Sequence, residues 1–373
     1  VPPLFYPSYG NAFATWLYRA LTFLVVSCPC ALVISIPLTF FSGIGGASHR
    51  GILIKGGNYM DALAKTRTVV FDKTGTLTHG VFKVNAVHPE QLSETELLHL
   101  AAHVERHSTH PVAAALREAY PAEKDDCKIE QTSEIAGQGI RATVNGKTVC
   151  VGNEKMMLAI GAEPHTCEKC CAHQGTIIHV AVDGQYAGHI LIADELKADS
   201  ADAIAQLKQL GVKKTVMLTG DRQASAKQIA DALAIDEFHA ELLPTDKVEH
   251  VEKLLRNNLP TERLAFVGDG INDAPVLARA DVGIAMGGLG SDAAIEAADV
   301  VLMDDKPSKI SQAIRISRRT ISIARQNTVF AIGIKAGVLV LATFGLASMG
   351  LAVFADVGVM LLAVLNAMRA MRV

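Results

Sequence analysis

Four short segments hold the residue types needed to move a phosphoryl group. Asp72 opens "DKTGTLT" directly after the apolar run Thr68–Phe71. A carboxylate at a strand's end, on a glycine-containing loop, can attack phosphorus and form an aspartyl phosphate. "LTGD" follows a second apolar run, where the Thr219 hydroxyl and the Gly220 amide can hold phosphoryl oxygens. Lys247, in "PTDK", offers a point charge to the phosphate. "GDGIND" follows a third run; Asp269 and Asp273 can gather Mg²⁺, and Asn272 can hydrogen-bond the same cluster. Nucleophile, phosphate donors, lysine and magnesium carboxylates together are the parts that phosphoryl transfer requires.

A second group is suited to soft metals. Cys28-Pro29-Cys30 sits in the oily stretch "TFLVVSCPCALVIS". Thiolates prefer Zn²⁺, Cd²⁺, Pb²⁺ or Cu⁺ to Na⁺, Ca²⁺ or Mg²⁺. Proline has no N–H and clashes with the preceding turn, so Pro29 is expected to unwind a helix locally and free backbone carbonyls. Lys335 and Asp356 are isolated charges in two further apolar stretches, where each costs roughly 2.5–3.5 kcal/mol at mid-span. Lys335 lies roughly 15 Å into its helix from Arg325, too deep to snorkel easily. Two thiolates plus the Asp356 carboxylate supply three anionic ligands to a divalent ion. A third cluster, "HTCEKCCAH" (His165, Cys167, Cys170, Cys171, His173), has ligand types suited to Zn²⁺, or is a loop whose thiols merely cluster.

These residues need elements to hold them. Among 373 residues, 50% are hydrophobic and 20% charged, with a mean hydropathy of +0.26. That mixture implies membrane spans joined to a water-exposed body. A net charge of −3 and the absence of a basic stripe argue against nucleic acid. Seven irregularly spaced cysteines form no disulfide framework and read as reduced thiols or metal ligands. Residues 12–48, 324–345 and 350–371 read as membrane helices, with "GLASMG" turning between the last two. Basic clusters at Arg50–Arg67, Arg315–Arg325 and Arg369–Arg372 put the intervening body on the cytoplasmic side. The first span then starts outside, so an odd number of spans is expected upstream.

The body alternates buried strands with helices, the pattern of a doubly wound α/β parallel sheet with its chemistry at the strands' carboxyl ends. Residues 49–81 and 193–307 are assigned to it. Residues 82–192 interrupt the alternation with hairpin signals at Asn145-Gly146 and Asp183-Gly184, and read as an inserted α+β domain.

"DKTGTLT", "TGD" and "GDGIND", in this order, resemble the P-type ATPases, whose phosphorylation domain is of haloacid-dehalogenase type. The resemblance covers nearly the whole chain, and no Walker A loop of the P-loop NTPases appears. It implies a catalytic set of Asp72, Lys73, Thr74, Thr219, Gly220, Asp221, Lys247 and Asn272, with Mg²⁺ at Asp72, Thr74, Asp269 and Asp273. "HSTHP" is similar to the Ser-x-His-Pro motif of the heavy-metal (type IB) members. With Glu105 and His110, "AGQGI" (Gly137, Gly139) and "VGN" (Gly152, Asn153), it implies ATP in the inserted domain. Where the copper-exporting branch carries Tyr-Asn, this chain has Ile334-Lys335; the zinc/cadmium/lead branch carries the lysine and an aspartate in the next helix. The resemblance thus implies export of Zn²⁺, Cd²⁺ or Pb²⁺ through Cys28, Cys30 and Asp356, with Lys335 as counter-ion. It implies an integral protein of a bacterial plasma membrane with its catalytic domains in the cytoplasm. The family's actuator Thr-Gly-Glu loop and first core helices are not found, so the chain reads as the carboxy-terminal part of a longer protein. A Cu⁺ exporter, a membrane-tethered phosphatase and a metal sensor are the competing readings.

Overall fold

The computed structural model describes residues 9–106, 108, 111–120, 127–135, 137–164, 175–269, 273–287, 292–344 and 346–372. Of the residues singled out above, His110, Asn272 and the His165–His173 cluster lie outside these. The chain forms two compact units, one of residues 1–70, 202–215 and 244–373, the other of residues 71–201 and 216–243.

The strands, in chain order, are β1 Ile52–Ile54, β2 Thr66–Asp72, β3 Thr78–Pro89, β4 Ile129–Ile135, β5 Gly139–Val144, β6 Lys147–Gly152, β7 Thr176–Val182, β8 Gln185–Leu196, β9 Lys214–Leu218, β10 Glu237–His239, β11 Arg263–Gly268, β12 Val282–Met286 and β13 Val300–Leu302. Seven make a sheet in the order β1-β13-β12-β11-β2-β9-β10. The pairs β11/β12, β12/β13 and β9/β10 are parallel, and the edge pair β1/β13 is antiparallel. The three apolar runs expected as strands are β2, β9 and β11, and β2 lies between the other two in the sheet. Their continuous apolar character follows from burial on both faces; β12 is buried at every residue. Asp72 is the last residue of β2, and Asp269 directly follows β11.

In the first unit, three stretches are long and apolar enough to cross a membrane: Phe13–Ser48, Ser308–Thr343 and Met349–Arg372. The first is two helices, Tyr9–Ser27 and Cys30–Ser48, broken at Cys28-Pro29. Along Cys30–Ser48, the small residues Ala31, Ser35, Thr39, Gly43 and Ala47 recur every fourth position and are all buried. Without a hydrophobic force between helices in lipid, close approach of small residues supplies the packing. A Cβ on Gly43 would meet Thr320, and one on Gly46 would meet the backbone of Ala370 and Met371. Large apolar side chains such as Leu24, Val33, Phe41 and Val329 point outward and are well exposed.

The second unit carries a six-stranded sheet in the order β3-β8-β7-β6-β5-β4, antiparallel throughout. Both expected hairpins form: Asn145-Gly146 and Asp183-Gly184 have φ of +50°, +82°, +50° and +81°. Positive φ at both central residues gives the turn twist that matches flanking strands. The helices Glu94–Val104 and Pro111–Ala119 cover one face, around Leu97, Leu116, Val149, Val180 and Ile190. Ser93 and Glu96 form a capping box that starts the first of these helices.

On the other face of β7 and β8, the Tyr186 hydroxyl lies 2.9 Å from His179 Nδ1 and 3.2 Å from His189 Nδ1. Burial pushes His189 down to about 4, and the neighbouring His88 and His179 add repulsion. The folded His189 is therefore neutral where the unfolded one takes a proton. Stability from this site is full above the ordinary value of 6.5 and falls as pH drops towards 4. Hydrogen exchange of β7 and β8 amides should accelerate between pH 7.5 and 5, after correction for intrinsic rates. The loss should be on the order of 1–3 kcal/mol, and His189→Gln should flatten it.

Candidate functional site

The break at Pro29 decides the membrane site. Leu32 and Val33 N–H both donate to the Pro29 carbonyl, at 3.0 and 3.1 Å, and Cys28 N–H to Val25 O at 3.3 Å. The carbonyls of Val26 and Cys28 instead receive the Lys335 ammonium, the former at 3.3 Å. The same Nζ lies 2.9 Å from Asp356 Oδ1. Lys335 is buried, and Asp356 projects from a wide turn, Phe354–Gly358, within the last span. The two sulfurs and an Asp356 oxygen lie within 4.8 Å of one another. Cys28, Cys30 and Asp356 are thus brought together, with Lys335 on the carboxylate, as the sequence implied. One residue that the sequence analysis did not single out matters here. Buried Asn327 donates to Ala363 O at 3.0 Å and Thr39 Oγ1 at 3.4 Å, and accepts from Asn366 at 2.9 Å, tying all three spans together. Its signal was an amide in an apolar stretch, which has to find partners in lipid.

In the second unit, Asp72 is buried (6% exposed) at the mouth of a loop built for it. Thr74 is extended and Gly75 has φ +71°, a left-handed turn that lets the chain double back. Lys73 pairs with Asp221. Thr219 N–H donates to His239 O, Leu242 N–H to Thr219 O, and Thr219 Oγ1 accepts from Asp221 N–H at 3.1 Å. Lys73, Thr219 and Asp221 are therefore held in one network.

Two residues that the sequence reading passed over pin this loop. Lys197 Nζ donates to Gly75 O at 2.7 Å, and Lys197 N–H to Leu77 O at 3.0 Å. Asp194 accepts from the Thr78 hydroxyl and from Gly80 N–H at 2.9 Å. Burial pushes the Asp194 carboxyl above its ordinary value, while Thr78 and Lys73 pull it back. The available signal was "DELK", a charged run that directly follows the apolar residues Ile190–Ala193.

In the first unit, Lys247 Nζ lies 2.9 Å from Asp273 Oδ1, with side chains only 11% and 3% exposed. Gly268, the last residue of β11, makes room for Asp273: a Cβ there would lie 2.8 Å from Asp273 Oδ2. Asp269 is half-buried.

The glycines expected at a nucleotide turn out to differ in role. Gly139 and Gly152 oppose each other in β5 and β6; a Cβ on either would lie 2.2 or 2.3 Å from a backbone carbonyl. They serve backbone packing. Gly137, at φ +72°, has open space where its Cβ would be. Asn153 Nδ2 donates to Gly137 O at 2.8 Å and its Oδ1 caps the following helix, which fixes that loop. Glu105 ends the helix Glu94–Val104 and is 7% exposed, and its carbonyl accepts from Arg117.

The chain is 56% identical over 370 residues to a zinc-transporting ATPase of Synechocystis sp., covering 99% of this chain and 50% of that one. It is also 56% identical over 373 residues to a cadmium, zinc and cobalt-transporting ATPase of Bacillus subtilis, covering 100% of this chain and 52% of that one. Among solved structures, a zinc-transporting PIB-type ATPase in its E2.Pi state matches with a TM-score of 0.86 at 41% identity, over 100% of this chain and 60% of that one. The chain spans about half the length of the curated relatives it matches. A family model for the haloacid dehalogenase-like hydrolases matches residues 66–281. That match runs over more than half of the chain and encloses Asp72, Thr219, Lys247 and Asp269, and the protein belongs to the haloacid dehalogenase-like hydrolase family.

Proposed function

We propose that this chain is the catalytic and metal-exit half of a P-type ATPase that exports soft divalent ions of the Zn²⁺/Cd²⁺ class across a bacterial membrane. The observation that carries this reading is the convergence of Cys28, Cys30 and Asp356 at a proline break, with Lys335 on the same carboxylate. A phosphatase tethered to a membrane needs none of these four residues. The relatives named for zinc, cadmium and cobalt support the choice of cargo, and Pb²⁺ joins them on ligand softness alone.

In this reading, residues 49–81 and 193–307 form the phosphorylation domain and residues 82–192 the nucleotide domain. The Asp72 carboxylate takes the γ-phosphoryl group of ATP, and its oxygen–phosphorus bond forms as the bond to ADP breaks. Thr219 and Gly220 hold the transferred oxygens, and Lys247 neutralises them. The donor set of Asp72, Asp269, Asp273 and Thr74 is all hard oxygen, which fits Mg²⁺; Lys247 on Asp273 holds that buried carboxylate in place. When bound, Mg²⁺ offsets negative charge on the phosphate. Glu105, His110, Gly137, Gly139, Gly152 and Asn153 are assigned to ATP in this reading. Catalytic domains face the cytoplasm. Moving a dication outward against 100 mV costs about 4.6 kcal/mol before any concentration gradient, so a chemical energy source is required. Lys335 competes for Asp356 and favours release of the ion.

Two outcomes follow for the full-length protein. Incubation with γ-labelled ATP and Zn²⁺ should give an acid-stable, hydroxylamine-labile phosphoprotein, absent in Asp72→Asn and at least about 100-fold weaker in Lys247→Met. Stimulation of ATPase activity by Cu⁺ and by neither Zn²⁺ nor Cd²⁺ would exclude the divalent assignment. Lys335→Met should retain Zn²⁺ longer, with dissociation slowed about tenfold and turnover reduced, because the competing ammonium is gone. Unchanged release kinetics would remove Lys335 from the transport cycle.

A further inference from the structure

A group of metal-ligating side chains gathers in the second unit, and neither site above uses it. His99 and His103 are four residues apart on the helix Glu94–Val104, so they project from one face. Cys127 lies just before β4. One ring nitrogen from each histidine and the Cys127 sulfur lie within 4.8 Å of one another. The Cys127 Sγ is 3.6 Å from His99 Nε2. A tetrahedral Zn²⁺ at ordinary Zn–N and Zn–S lengths separates such a nitrogen and sulfur by about 3.6 Å. The two imidazoles meet edge to face, with centroids 4.5 Å apart at 86°.

The sulfur is held in position by its neighbours. Asn145 Nδ2 donates to Cys127 Sγ at 3.2 Å. Asn145 is held in place by its left-handed turn and by Lys128 N–H, which donates to its Oδ1 at 3.0 Å. His103 is only 5% exposed, while His99 and Cys127 are half-buried, so the ligands sit at the rim of a core with solvent at one side. Three protein ligands with an open side are the usual pattern of an exchangeable zinc site, whose fourth ligand is water.

We propose that His99, His103 and Cys127 bind a soft divalent ion of the Zn²⁺/Cd²⁺/Co²⁺ class. This second site lies in the antiparallel domain and is independent of the Cys-Pro-Cys site. The chemistry is N₂S ligation with loss of the Cys127 proton on binding, so affinity rises with pH. Bound metal links the helix that ends at Glu105 to the segment entering β4. The same inference stands whether or not the protein transports anything.

The test is alkylation of the full-length protein by iodoacetamide, read peptide by peptide by mass spectrometry so that Cys127 is resolved from the other cysteines. Zn²⁺ or Cd²⁺ should slow Cys127 alkylation by at least about tenfold. The protection should persist in Cys28→Ser/Cys30→Ser. It should disappear in His99→Ala and in His99→Gln, while Cys127 keeps its metal-free reactivity in both. Hydrogen exchange of the Glu94–Val104 amides should slow with metal in the wild type and not in His99→Gln. Three results would each overturn the proposal: a Cys127 rate indifferent to metal, protection that survives both His99 variants, or protection lost with Cys28 and Cys30. In the first two cases the 3.6 Å contact is an ordinary thiol–imidazole hydrogen bond. In the third, the effect is relayed from the membrane site.

Discussion

A backbone without an N–H governs the membrane half of this protein. In hydrocarbon, a carbonyl freed from its helix has no water to turn to, and leaving it unpaired costs several kcal/mol. Pro29 removes one donor, the next N–H groups crowd onto its own carbonyl, and Val26 and Cys28 are left facing inward. Lys335 meets both from the neighbouring span. Its charge is answered in turn by Asp356 from the third. One missing hydrogen thus dictates a cation on the second span and an anion on the third.

This chain of need also explains why the spans pack as they do. The ammonium has to reach the break, so the first two spans have to approach closely. The small residues every fourth position along Cys30–Ser48 allow that approach. Asn327 then fixes rotation and depth, since its amide finds partners on both neighbouring spans at once. A buried ion pair contributes little net stability. Its use here is specificity: it orients the carboxylate next to two thiols.

The phosphoryl-transfer loop shows the same division between chemistry and support. Asp72 and Thr219, proposed as nucleophile and phosphate donor, stood out in the sequence by type, order and position after apolar runs. Asp194 and Lys197 did not, since their job is to hold the backbone of Gly75, Leu77 and Gly80 across more than 100 residues of sequence. A charged pair at a strand's end looks like any solvated turn until its partners are known. The glycines carry a constraint of the same kind. At Gly139 and Gly152 the backbone across the hairpin leaves no room for a Cβ, which their sequence context did not reveal.

Sequence alone determined the elements and singled out the residues proposed to carry the chemistry. Parallel-strand runs, Asn-Gly and Asp-Gly hairpins, three spans and the proline break all follow from local sterics, hydropathy and backbone hydrogen bonding. These are properties of a residue and its near neighbours. Tertiary structure alone decided what those side chains meet. It put Lys335 on two carbonyls as well as on Asp356, Asp194 and Lys197 under the catalytic loop, and Cys127 beside two histidines 24 and 28 residues away. Such meetings depend on how strands and helices are ordered in space, and no local spacing in the chain encodes that distance.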